Sequence, residues 1–131
     1  MTEQICLLVT DDPDDHQAFS EALSEISAGA IVLIILDSQK AIQLFKAYSQ
    51  RFDYIFLDLS MNGIRINSFL KSIDLNPGLK SVRILVYGEE ESFSRIESNE
   101  KLVFFKKEYE YSELRDFLKM FLISSDEKKE E

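Results

Sequence analysis

Two kinds of apolar pattern alternate along the chain. Ile5 to Val9, Ile31 to Leu36, Tyr54 to Leu57, Val82 to Tyr87 (broken only by Arg83) and Leu102 to Phe105 are short, nearly continuous apolar runs. Such runs are the mark of strands buried on both faces of a parallel sheet. Between them the spacing turns helical. Ala18, Phe19, Ala22, Leu23 and Ile26 form one stripe, Ala41, Ile42, Phe45 and Tyr48 a second, and Ile66, Phe69, Leu70 and Ile73 a third. The clearest is the last, where Leu114, Phe117, Leu118, Phe121 and Leu122 fall at i, i+3, i+4, i+7 and i+8. Glu89 to Glu100 offers only Phe93 and Ile96 to a core, so a short or frayed helix is expected there.

Local punctuation agrees with these boundaries. Asp12 followed by Pro13 predicts a capped helix start, with Asp14 and Asp15 at the positive end of its dipole. Gly29 is the expected stop, Ser38 the expected cap of the second helix, and Asn76-Pro77-Gly78 a turn. Five strands alternating with five helices predict an α/β fold: a doubly wound, five-stranded parallel sheet in three layers with right-handed crossovers. One domain, 1–123, is expected, followed by a charged tail, 124–131, read as disordered because it has nothing to bury.

In such a sheet the C-terminal ends of all strands emerge along one edge, where ligands bind. The residues just past the strands therefore belong to one candidate site: Thr10, Asp11 and Asp12, then Asp37, Asp58, Tyr87, and Lys106 or Lys107. A charge such as Asp58 at the end of a fully buried strand is costly unless a cation, a metal or solvent at an open rim compensates it.

Charge and cysteine content narrow the function classes. The 131-residue chain has a formal net charge of −9, which disfavours nucleic-acid backbones and anionic membrane surfaces as partners. Its one cysteine, Cys6, excludes an internal disulfide and sits in an apolar run, where a buried, unreactive thiol is expected. No basic region precedes the first apolar run, and that run is too short for a leader or a membrane span, so a cytoplasmic protein is expected.

Clustered carboxylates stay ionised only with a cation between them, and a hard, oxygen-liganded Mg²⁺ suits them. A lysine opposite would neutralise phosphoryl oxygens, and a carboxylate beside both can act as nucleophile to give an aspartyl phosphate. Here the residues resemble a family. Leu7-Leu8-Val9-Thr10-Asp11-Asp12-Pro13-Asp14-Asp15 resembles the first strand and acidic cluster of the receiver domains of bacterial two-component response regulators. Tyr54-Ile55-Phe56-Leu57-Asp58-Leu59-Ser60-Met61 is similar to their phosphoacceptor strand and loop, and Lys107-Glu108-Tyr109-Glu110-Tyr111-Ser112-Glu113-Leu114 to their lysine-proline element. The resemblance spans about Ile5 to Ile123 and implies a flavodoxin-like (βα)5 fold. It implies Asp58 as phosphoacceptor, Asp11 with Asp58 and Asp12 as Mg²⁺ ligands, Lys107 (or Lys106) as phosphoryl contact, and Tyr87 at the switch position. It further implies a sensor histidine kinase or phosphotransfer protein as donor and a downstream effector protein as docking partner. A signalling module, not an enzyme, is expected.

Departures from the family pattern push one way. The first acidic position falls on Thr10, the proline after Met61 is Asn62, the lysine's partner proline is Glu108, and the small hydroxyl residue closing the fourth strand is Tyr87. A phenol there is expected to be too bulky for the usual hydrogen bond unless it moves aside. Lys107 as the family lysine puts Phe104 at the switch aromatic. Weakened Mg²⁺ binding and phosphorylation that is slow, or coupled differently to conformation, are expected. The alternative is a module that keeps the fold and has dropped phosphotransfer. A flavin site is disfavoured by the acidic loop Thr10 to Asp15, and an aspartate-based phosphatase by the lack of room for a cap.

With no output module after the charged tail, signalling by docking is expected, on a face around Phe93, Phe104, Tyr109 and Tyr111 whose aromatics are read first as packing. His16 is expected to be a solvated helix-surface residue, and Glu89 to Glu91 with Glu97 and Glu100 a solvated face.

Overall fold

The computed structural model describes residues 4–27, 29–47, 52–61, 65–94, 96 and 102–130. Five strands form one sheet: β1 (Gln4–Val9), β2 (Ala30–Ile35), β3 (Tyr54–Asp58), β4 (Arg83–Gly88) and β5 (Leu102–Lys106). Every pairing is parallel and the order is β2-β1-β3-β4-β5. The helices are α1 (Pro13–Ile26), α2 (Ser38–Ala47), α3 (Ile66–Asp74), α4 (Glu90–Phe93) and α5 (Tyr111–Glu130), with a 3-10 turn at Pro77–Leu79. The order reverses beside β1 and β3, which sets the ends of those strands at the crevice where an open α/β sheet binds ligands.

The period-2 alternation of each strand divides the core in two. Leu7, Val9, Ile55, Leu57, Ile84 and Val86 face α2 and α3, where Phe45, Phe69 and Ile73 cover them. Cys6, Leu8, Tyr54, Phe56, Leu85 and Tyr87 face α1 and α5, where Phe19, Leu23, Leu114, Leu118 and Phe121 cover them. Arg83, the one charge in an apolar run, reaches out of the sheet: its guanidinium donates to the Phe121 carbonyl at 2.9 Å and lies over the Phe121 ring.

Several expectations change. β2 was expected to be buried, but it is an edge strand, and Ile31, Leu33 and Ile34 are each more than a third exposed. An apolar β-branched run looks the same in sequence at an edge as in the centre, because burial depends on what the neighbours leave open. α1 stops at Ser27, whose extended backbone ends the helix and whose N–H donates to Leu23 O at 2.9 Å, before Gly29 is reached. The stretch 124–130, read as a disordered tail, continues α5 as helix to Glu130. Its Glu and Lys residues are good helix formers, and extending an existing helix needs no new nucleus. α4 has four residues; Glu97 and Glu100, like Tyr48 and Asn62, lie outside the described residues. No described helix is long and apolar enough to cross a membrane.

Candidate functional site

β3 delivers Asp58 to the C-terminal rim because Tyr54 to Leu57 are all buried and fix the strand's register between β1 and β4. Its carboxylate is itself 1% exposed and carries a full set of donors. Oδ1 accepts from the Ser60 N–H at 2.8 Å and the Ser60 hydroxyl at 2.6 Å. Oδ2 accepts from the Thr10 hydroxyl at 2.7 Å and from the Lys107 ammonium at 3.0 Å. Burial works against the charge, but these bonds outweigh it and hold the Asp58 carboxyl below its ordinary range.

Lys107 is positioned by its backbone, whose N–H donates to Gly88 O at 2.9 Å. Its Nζ meets carboxylates from three elements: Asp58, Asp15 (the shortest contact) and Asp12 at 3.3 Å. Burial opposes the ammonium, yet the bonds to Asp15 and Asp58 prevail and hold Lys107 above the usual lysine range. Lys106 points away and pairs with Glu113 at 2.8 Å on the surface, so of the two lysines it is Lys107 that the fold brings to Asp58.

The remaining expected residues divide. Thr10, at the first acidic position, is fully buried and ties Asp58 to the loop after β1, its Oγ accepting from the Asp12 N–H at 3.2 Å. Asp12 caps α1 through the Asp14 N–H at 2.9 Å and also lies beside Lys107. Asp11 is exposed at the same rim. Asp37 is not part of the cluster: it accepts from the Gln39 N–H at 2.7 Å and caps α2, the role expected of Ser38. Tyr87 does not move aside. Its ring is fully buried against Phe19, with centroids 5.0 Å apart, and its hydroxyl passes Asp58 to donate to Asp15 at 3.0 Å.

Asp15 is the residue the sequence reading missed. Read there as a dipole residue, it is 3% exposed, and it accepts from Tyr87 and Lys107 on Oδ2 and from the Tyr109 hydroxyl at 2.6 Å on Oδ1. The signal was available. Asp15 stands four residues before Phe19, seven before Ala22 and eight before Leu23, which puts it on the inward stripe of α1 and not at its solvated start. Burial first, and the Asp15 carboxylate second, drive the Tyr87 and Tyr109 phenols well above the ordinary tyrosine range, so both remain donors. His16 is also more than surface: a ring nitrogen lies 2.8 Å from Thr10 O, which the protonated nitrogen bonds, pinning the loop between β1 and α1. Tyr109 is turned inward by its bond to Asp15, while Phe104 stays 40% exposed beside Phe93, ring centroids 4.9 Å apart.

Among the described residues no three acidic or imidazole side chains converge in a metal-holding arrangement. The ammonium of Lys107 stands among the carboxylates instead. The donor type still suits a hard cation, since the carboxylates of Asp12, Asp15 and Asp58 gather around the Lys107 ammonium, with Asp11 exposed in the adjoining loop.

No protein-family model matches the chain, and no curated protein matches it in sequence. Solved structures do. Chemotaxis response regulator CheY4 of Vibrio cholerae is 25% identical, with 91% of this chain and 98% of that one covered and a TM-score of 0.69. The phosphorylated cyanobacterial phytochrome response regulator RcpA is 21% identical over 92% of this chain and 91% of its own, with a TM-score of 0.72. The chain has the fold of a response-regulator receiver domain. A third receiver, that of the sensor histidine kinase PA1611 from Pseudomonas aeruginosa, is 20% identical over 91% of this chain and 97% of its own, with a TM-score of 0.68. That structure has a magnesium ion coordinated in its active-site cleft. Within that fold Asp58 closes β3 and Lys107 follows β5, their side chains meeting at the C-terminal rim of the sheet.

Proposed function

We propose that this receiver accepts a phosphoryl group on Asp58 from a histidine kinase or phosphotransfer protein and signals by docking to an effector protein. The observation that carries the reading is the pairing of Asp58 at the end of the central strand with Lys107 Nζ 3.0 Å from its Oδ2. An Asp58 oxygen forms the new O–P bond as the donor's bond to phosphorus breaks, its electron pair leaving with the donor. Lys107 supplies positive charge where phosphoryl oxygens would lie, and the Ser60 N–H holds the other carboxylate oxygen in place. Mg²⁺, held by Asp58 and Asp11 with Asp12 beside them, would neutralise the incoming phosphoryl charge when bound. The formal charge of −9 favours a protein donor and a protein target over nucleic acid or membrane.

The resting site is closed, with Asp58 buried beneath Thr10, Ser60 and Lys107, so slow modification is part of the reading. Incubation with Mg²⁺ and acetyl phosphate followed by intact-mass measurement tests it. A slow gain of one phosphoryl group, absent in Asp58→Asn, is expected; an unmodified wild type would refute it. The second reading, docking without phosphotransfer, draws on Thr10 in the place of an acid and on a Tyr87 hydroxyl already committed to Asp15. It requires that Mg²⁺ leave the NMR signals of Asp11 and Asp58 unmoved.

A further inference from the structure

Asp15 has no part in the acceptor chemistry above, yet it is the most heavily engaged carboxylate near Asp58. It joins three elements: α1 carries it, β4 sends the Tyr87 hydroxyl, and the loop between β5 and α5 sends both Lys107 and Tyr109. One oxygen is shared by Lys107 and Tyr87, with the Thr10 hydroxyl farther off at 3.5 Å, and the other belongs to Tyr109. A carboxylate that is 3% exposed is stable only while such partners surround it. Lys107 therefore divides its charge among Asp15, Asp58 and the more distant Asp12, and whatever changes the charge on Asp58 changes what Asp15 is left with.

We propose that Asp15 is a positioning residue: it holds Lys107 in reserve beside Asp58 and relays the loading of Asp58 to Tyr109. The inference rests on the phosphoacceptor reading. Once Asp58 carries a phosphoryl group its negative charge is larger, and Lys107 is drawn to the phosphoryl oxygens. Asp15, still buried, then depends on hydroxyls: those of Tyr87 and Tyr109, with Thr10 at the longer distance of 3.5 Å. The Tyr109 bond tightens, and the loop 107–110 that carries it becomes more ordered. The relay runs through a carboxylate of α1 and a tyrosine two residues past the lysine, so it needs no small hydroxyl at position 87.

Removing the Asp15 charge frees Lys107 from its reserve position and removes one negative charge that an incoming phosphodonor must approach. Asp15→Asn is expected to be modified by acetyl phosphate and Mg²⁺ faster than wild type by about tenfold, the equivalent of ~1.4 kcal/mol in the barrier. If Asp15 were instead a metal ligand, the same change would slow modification and weaken Mg²⁺ binding, and that result would overturn the proposal. The second readout is amide hydrogen exchange at 107–110. In wild type, exchange there slows on treatment with acetyl phosphate and Mg²⁺; in Tyr109→Phe, which keeps the ring, the slowing is lost. A Tyr109→Phe protein that shows the wild-type slowing also overturns the proposal, whether or not Asp15→Asn folds. If wild type takes up no phosphoryl group, the phosphoacceptor reading fails on its own. The metal-free proteins then decide the resting contacts: faster exchange at 107–110 in Asp15→Asn supports them, and unchanged exchange refutes them.

Discussion

Tyr87 and Asp15 are 72 residues apart in sequence and 3.0 Å apart in space, the phenol of β4 donating to the carboxylate of α1. The bond explains how a large ring fits where receivers carry a small hydroxyl residue. The ring fills the α1-facing core against Phe19, and the hydroxyl finds an acceptor beyond Asp58. Tyr87→Phe keeps the packing and deletes one buried donor. It is expected to cost about 1–2 kcal/mol, because Asp15 retains Lys107 and Tyr109; the midpoint of urea unfolding measures it.

The two neighbouring lysines should behave differently. Lys107→Met leaves the buried Asp58 and Asp15 without their cation and is expected to destabilise by about 3 kcal/mol, the low end for a broken buried pair because Lys107 is partly exposed. Lys106→Ala removes only a surface contact with Glu113 and should leave the unfolding midpoint unchanged. Equal effects would mean that Lys107 does not stabilise the cluster.

Thr10→Asp restores an acid at the first position and, in doing so, replaces a donor to Asp58 with a like charge. Without metal the variant should melt below wild type. With Mg²⁺ it should gain more than wild type does, up to ~2.7 kcal/mol at a hundredfold excess over its dissociation constant. Thermal unfolding with and without MgCl₂ reads both halves, and equal gains in the two proteins would argue against a metal site beside Asp58.

Burial first, and Asp53 second, push the Cys6 thiol up to about 12. Its thiolate is then negligible at pH 8, and the native protein should resist a thiol-disulfide reagent that labels the urea-unfolded chain within minutes. Because the folded value is the raised one, the thiol's contribution to stability is intact below about 9 and is lost as pH climbs toward 12. Rapid labelling of the native state would contradict the burial.

At Gly88 an added Cβ would lie 2.8 Å from Cβ of Leu59, the residue after Asp58. Gly88→Ala must shift that loop, with an expected cost of about 1–3 kcal/mol and altered NMR shifts at Leu59 and Ser60. Unperturbed shifts there would show that the loop yields freely.

Most of the architecture is legible in the apolar pattern, since continuous runs such as Tyr54 to Leu57 and stripes such as Leu114 to Leu122 each have one physical reading. Asp58 and Lys107 could be placed at one rim for the same reason: parallel strands end on one side. What stayed hidden depends on which way a side chain turns and on what covers it. β2 reads as buried but lies exposed at an edge, Asp37 reads as part of the site but caps α2, and His16 reads as solvated but bonds Thr10 O. Asp15 misled through a rule that is true of exposed helix starts and does not apply to a residue on the inward stripe.

Adjacent carbonyls at the end of β4 carry the two halves of the rim: Tyr87 O receives the Leu59 N–H and Gly88 O the Lys107 N–H, each at 2.9 Å. The loops that follow Asp58 and precede α5 are thus anchored on β4 one peptide apart, independently of the ion pair between Asp58 and Lys107. A substitution that breaks the ion pair therefore leaves both main-chain anchors in place, because neither draws on a side chain.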